Sequence, residues 1–136
     1  MSRTRGAQGE DVAARWLRRR GWAVLHRNWR APGGEIDLVA RRAGVVAVVE
    51  VKTRSRAGDP EHVHAAQATR VRRAALAYLA RHPPPPGSAV RLDLITVTGR
   101  WPLRRVRLLP GALEDPPVAR TDPPRAPRRT PRMRPS

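Results

Sequence analysis

Apolar residues recur at helical spacing over residues 7–20, where Val12, Ala13, Trp16 and Leu17 form one stripe and Arg15, Arg18 and Arg19 fall mostly outside it. Gly21 is the expected stop. Glu10 precedes Leu17 by one heptad, so the two share a helix face within about 20°. That aims a carboxylate toward the core side; the alternative is an N-terminal carboxylate that favours the helix dipole. Residues 22–28 read as a short strand, and Ala31-Pro32-Gly33-Gly34 as a turn. Two β-type runs, 35–40 and 45–52, flank Arg41-Arg42-Ala43-Gly44. Residues 54–61 read as a mobile loop. A second helix is expected over 62–81, with Val63, Ala66, Val71, Ala75, Tyr78 and Leu79 as its apolar stripe, and residues 83–86, all proline, must break it. Residues 90–97 form a strand with Arg91 and Asp93 on one face, and 101–109 are a candidate last strand, basic enough for a sheet edge. The order α-β-β-β-α-β is an α/β layout in which helices flank a mixed sheet.

The loop between the two β-type runs fixes a register. A two-residue loop at Ala43-Gly44 pairs residues whose numbers sum to 87. Asp37 then faces Glu50, Glu35 faces Lys52, and all four side chains lie on one side of the sheet. Directly opposed carboxylates repel unless a cation sits between them.

Composition adds the partner class. The chain has 136 residues, formal net charge +17 and no cysteine. Residues 1–115 suffice for one domain. Residues 116–136 hold seven prolines and six arginines, cannot build a core, and are expected to be a disordered tail. Charge of this size attracts polyanions, nucleic acid before anionic membrane. The absence of cysteine excludes disulfides and thiolate metal sites. No apolar run approaches the roughly 20 residues of a membrane span, and the expected compartment is the cytoplasm.

One basic residue stands apart. Of 28 cationic side chains, 27 are arginine, and the single lysine is Lys52, two residues after Glu50. Lysine differs from arginine where a compact ammonium must fit beside a water or a phosphate. An acid, a spacer, then acid-x-lysine is the minimal apparatus of one large class of metal-dependent nucleases. Asp37 and Glu50 suit Mg²⁺ or Mn²⁺, which take one or two carboxylates and keep several waters. The Val51 carbonyl is a further candidate ligand, and Glu10 would join through water or a second ion. Lys52 would hold the attacking water or stabilise charge on the phosphate. The bland reading is a strand lysine paired with Glu50 or Glu35. His26, His62, His64 and His82 are scattered and carry no metal expectation. Trp16, Trp22, Trp29 and Trp101 read as packing residues, with Trp29, beside Arg27 and Arg30, the one candidate for base stacking.

Several motifs fall in order along the chain: Gly9-Glu10-x-x-Ala13, Leu17, Gly21, Arg27-Asn28-x-Arg30, Gly34-Glu35-Ile36-Asp37-Leu38-Val39, Val49-Glu50-Val51-Lys52-Thr53-Arg54 and Arg91-Leu92-Asp93. Together, over about residues 6–112, they resemble the YraN family of predicted bacterial endonucleases, which is distantly similar to archaeal Holliday-junction resolvases. The resemblance implies a restriction-endonuclease-like fold, Asp37, Glu50 and Lys52 as the nuclease triad, and Glu10 as an auxiliary acid. It also implies DNA, branched or otherwise non-B-form, as substrate, and a homodimer as the working state. Candidate nucleic-acid contacts are Asn28, Arg30, Arg54, Gln67, Arg70 and Arg73. The family commonly carries V-x-x-x-K on the second helix; here Val63 is followed by Gln67, which brings no charge, and Arg70 is the nearest base. Leu92 replaces the family's aromatic, and the tail has no counterpart. The rival expectation is a non-catalytic nucleic-acid-binding module of the same fold. A small RNA-associated protein would account for the charge but for none of the acid placement.

Overall fold

The computed structural model describes residues 5–54, 65–100 and 102–114. Helix α1 (Arg5–Arg19) ends as its sequence dictates. Gly21 takes φ +83, the Trp22 N–H donates to the Leu17 carbonyl at 3.0 Å, and the Gly21 N–H donates to the Arg18 carbonyl at 3.1 Å. This six-to-one and five-to-two pair is the Schellman stop, which a glycine adopts without strain. It turns the chain so that Trp22 is buried against α1.

Strands β1 (Ala23–Ala31), β2 (Gly34–Arg42) and β3 (Val45–Arg54) follow as an antiparallel meander. The β2–β3 loop is the expected two-residue turn, with Ala43 at φ 47 and Gly44 at φ 76. Positive φ at both central residues marks the hairpin turn that matches strand twist. The ladder runs from Arg42–Val45 to Leu38–Val49, which is the predicted register. Helix α2 (Ala65–Arg81) then crosses to β4 (Ala89–Thr98), which pairs parallel to β3. The apolar residue Val63 of the expected stripe lies outside the described residues, as do positions 55–64, most of the loop expected over 54–61. A fifth strand, β5 (Arg105–Leu109), pairs antiparallel with β4 and closes the sheet in the order β1-β2-β3-β4-β5. It is the core of the expected 101–109 strand. Positions 115–136 lie outside the described residues.

The two helices cover opposite faces. Ala13, Ala14 and Leu17 of α1 pack on Leu38, Ala40, Ala47, Val49, Ile95 and Val97. Val71, Ala74, Ala75 and Tyr78 of α2 pack on Ile36, Val39, Val46, Val48 and Leu94. The uninterrupted run Val45–Val49 is thus explained: a central strand buried on both faces has no polar side. Each such valine or leucine contributes roughly 1.5–3 kcal/mol.

Asp93 is fully buried, but it serves the frame. The Arg91 guanidinium grips it through three hydrogen bonds of 2.9–3.0 Å, and the Gly111 N–H donates to it at 2.8 Å. Arg91 and Asp93 do share a face, as expected, and their pairing ties the turn after β5 to β4. Leu113, tucked beneath by its N–H to the Leu92 carbonyl, completes the closure.

Candidate active site

The site arises where β2 and β3 part company. Their ladder stops at Leu38–Val49. Beyond it β2 keeps its pairing with β1 through Ile36, Glu35 and Gly34, while β3 keeps its pairing with β4 through to Arg54. Ile36 marks the divergence: it packs with the α2 cluster, out of phase with Leu38 on the other face. Asp37 and Glu50 are the first residues past the last rung. The Val51 N–H, with no strand carbonyl opposite, donates to Asp37 Oδ2 at 2.7 Å.

Strand alternation puts Asp37 in phase with Val39, and Glu50 with Val46 and Val48, on the α2 face. Both carboxyls are buried, at 7% and 8% exposure, and they lie close enough to share a hydrogen bond. Burial pushes Asp37 above the ordinary carboxylate range, and the Val51 N–H pulls it partly back. Burial, then the Asp37 charge, pushes Glu50 up to about 7, although Lys52 opposes both. The Lys52 ammonium lies 3.5 Å from Glu50 Oε1. Glu10 also rises, through burial first and the Asp37 charge second, with Asn28 and Arg27 as moderating neighbours. The heptad argument for an inward Glu10 therefore holds.

Two glycines bring the helices this close. A Cβ on Gly9 would lie 2.1 Å from the Thr53 hydroxyl, so α1 beside Glu10 is pressed onto the end of β3. A Cβ on Gly34 would lie 2.5 Å from the Arg70 carbonyl, so the start of β2 rests on the α2 backbone. Between the β1–β2 turn and α2 opens a cleft of about 540 Å³ whose lining includes Arg30, Glu35, Asp37, Glu50, Gln67 and Arg70.

One expected pairing changes. Glu35 does not meet Lys52, because the ladder ends first; Glu35 instead pairs with Arg30 at 3.5 Å. Gln67, a candidate phosphate contact, lines the cleft and donates its amide to Glu50 Oε1 at 2.7 Å, which orients that carboxylate. Of the remaining candidates, Arg30 and Arg70 line the cleft, Asn28 sits beside Glu10, and Arg54 ends β3 with its carbonyl accepting from Gly99. Arg73 is exposed on α2 away from the cleft lining.

One cluster was invisible in the sequence. His26 Nδ1 lies 2.8 Å from the Tyr78 hydroxyl, and the His26 and His82 rings are 4.7 Å apart. Trp29 meets Tyr78 edge-on at 5.3 Å, so it packs against α2. Residues 52 apart in the chain give no local signal of this kind.

The donor set fits a hard divalent cation: carboxylate oxygens, with no thiolate or imidazole among the cleft-lining residues. Among the described residues no group of three acidic or histidine side chains forms a ready cage. Two carboxylates and backbone oxygen suit an ion that keeps most of its waters.

The sequence model of the uncharacterised protein family UPF0102 matches residues 9–97. The chain belongs to this family. A UPF0102 protein of Parafrankia sp. (strain EAN1pec) is 46% identical over 100 residues, covering 71% of this chain and 84% of the relative. One from Myxococcus xanthus (strain DK1622) is 45% identical over 112 residues, covering 80% and 88%. One from Streptomyces griseus is 49% identical over 96 residues, covering 68% and 80%. The UPF0102 match spans most of α1 through most of β4, and so contains Glu10, Asp37, Glu50, Lys52 and Gln67. Among the described residues of this UPF0102 protein, no helix is long and apolar enough to cross a membrane.

Proposed function

We propose that this UPF0102 protein is a metal-dependent endonuclease that hydrolyses DNA phosphodiester bonds, with branched DNA as the preferred substrate class. The observation that carries the reading is the buried Asp37–Glu50 pair with Lys52 at 3.5 Å, set at the point where two strands splay beneath a cleft containing Arg30 and Arg70. Two carboxylates are held together at a cost in repulsion and desolvation, which a structural role does not require.

Asp37 and Glu50 would hold Mg²⁺ or Mn²⁺, with Glu10 as an auxiliary acid. Such an ion supplies charge neutralisation at phosphate oxygens and acidifies water. The chain's own residues do the rest. The Val51 N–H fixes the Asp37 carboxylate and the Gln67 amide fixes that of Glu50. Lys52, 30% exposed at its side chain and 3.5 Å from Glu50, would hold the attacking water or steady charge on the scissile phosphate. Arg30 and Arg70 would grip flanking phosphates.

The test is a cleavage panel of duplex, single-stranded, flap and four-way DNA in Mn²⁺, comparing the unaltered protein with Asp37→Asn. Metal-dependent cleavage abolished by Asp37→Asn supports the reading; cleavage that survives the substitution refutes it. The second reading is a binding module of the same fold. It is favoured by one observation: Glu50 already has internal partners in Gln67 and Lys52, which would hold it without an ion. No cleavage on any substrate, with binding unaffected by chelator, would select that reading. A working homodimer remains a separate proposal, checked by sedimentation.

A further inference from the structure

A second basic surface lies diagonally across the molecule from the cleft. Between α1 and the segment leading into β5 is a groove of about 280 Å³. Its lining includes Trp16 and Val106, both half-buried, and four arginines: Arg15, Arg19, Arg20 and Arg104. No acidic residue lines it.

What sets these arginines apart is their convergence on one groove without an acid. Arg27, Arg30 and Arg91 are matched by Asp11, Glu35 and Asp93. Among the described residues, none of the four groove arginines forms an ion pair with a carboxylate. Arg15 and Arg19 are four apart on one helix, an arrangement of like charges that weakens a helix. The Arg20 guanidinium lies 3.8 Å from the Trp16 ring centroid, so its charge is fixed in place by a cation–π contact. That stack also covers the indole face, leaving no platform there for a base.

The groove's position sets its role. The cleft opens on the α2 face near the β1–β2 turn, whereas the groove opens on the α1 face beside β5, at the opposite edge of the five-stranded sheet. A straight duplex seated in one does not run through the other. Clustered, uncompensated cations with no base-reading element suit phosphate backbone contact, which positions nucleic acid without reading sequence.

We propose that this groove binds the phosphate backbone of a second duplex segment, so that one molecule holds two DNA arms at once. The word "second" rests on the cleft being a DNA site; the groove's own affinity does not. The test is run in chelator, so that cleavage plays no part. Duplex binding is measured against salt for the unaltered protein, for Arg15→Gln/Arg19→Gln/Arg104→Gln, and for a charge-matched control, Arg41→Gln/Arg42→Gln/Arg81→Gln. Each lost phosphate contact flattens the slope of log K against log salt by about 0.9. The groove variant is expected to flatten it by about two to three, and the control by less than one. The unaltered protein should also bring donor- and acceptor-labelled duplexes together in an energy-transfer assay, and the groove variant should not.

Equal slopes for groove and control variants overturn the proposal, because the effect would then be net charge alone. Absence of bridging by the unaltered protein at low salt overturns it too. A variant altered only in binding inorganic tripolyphosphate would make the groove a small-anion site and also sink it. Should the triple variant melt early, Arg15→Gln/Arg104→Gln serves, with an expected change of about two. Failure here leaves Asp37 and Glu50 untouched, while absence of cleavage by the unaltered protein leaves the slope comparison decisive.

Discussion

Glu50→Gln should make the metal-free protein more stable at alkaline pH while removing any function that needs the carboxylate. Glu50 ordinarily loses its proton near 4.5, but burial and the Asp37 charge hold it to about 7 in the folded chain. Between these values the folded state keeps a proton that the unfolded state has released. Stability therefore falls as pH rises from 4.5 through 7, and above 7 the full penalty of an ionised Glu50 is present. At about 1.4 kcal/mol per pH unit, the interval sets a ceiling of about 3 kcal/mol. Glutamine carries no charge to bury, and its carbonyl oxygen can still accept from the Gln67 amide. In chelator at pH 8 the variant should gain up to about 3 kcal/mol, or about 10–20 °C in melting temperature for a domain of this size. The gain should shrink toward nothing near pH 4.5. Added Mn²⁺ should raise the melting temperature of the unaltered protein and leave the variant unmoved. The assay is calorimetry from pH 4.5 to 8.5. A variant no more stable than its parent at pH 8, or a gain independent of pH, would refute the account of the acidic pair.

Lys52→Arg should lower single-turnover cleavage at least about tenfold, roughly 1.4 kcal/mol in the barrier, with DNA affinity in Ca²⁺ unchanged, because the planar fork is bulkier and keeps its proton; equal rates would remove Lys52 from the chemistry. Ala43→Gly should stabilise the fold by about 1 kcal/mol in urea titration, since Ala43 sits at φ 47 where a Cβ is strained. Asp93→Ala should cost about 3 kcal/mol in the same assay, because Arg91 and the Gly111 N–H lose a fully buried partner. Gly9→Ala should reduce any cleavage and stability together, as the new methyl meets the Thr53 hydroxyl beside Glu10.

Much of this architecture was legible because it is local. The α1 stop is written in Gly21, the hairpin register in Ala43-Gly44, and the two-sided burial of β3 in its run of valines. Register in turn aligned Asp37 with Glu50 before any tertiary contact was known, whereas helical periodicity offered an inward Glu10 as one of two readings. Tertiary structure alone decided the rest. The ladder ends three rungs short of Glu35–Lys52 because β2 stays with β1 while β3 stays with β4, and no pattern of apolar residues encodes where two strands separate. That divergence opens the cleft and sends Glu35 to Arg30 in place of Lys52. Gln67 reached Glu50, and His26 reached Tyr78 and His82, through the crossing of α2 over the sheet. Asp93 shares a face with Arg91, as its strand phase implies, but that it clamps the backbone of a turn eighteen residues on was set by the packed sheet. Periodicity reports which face a residue occupies; which side chains meet across that face depends on how helices cross and strands twist, and those are properties of the packed whole.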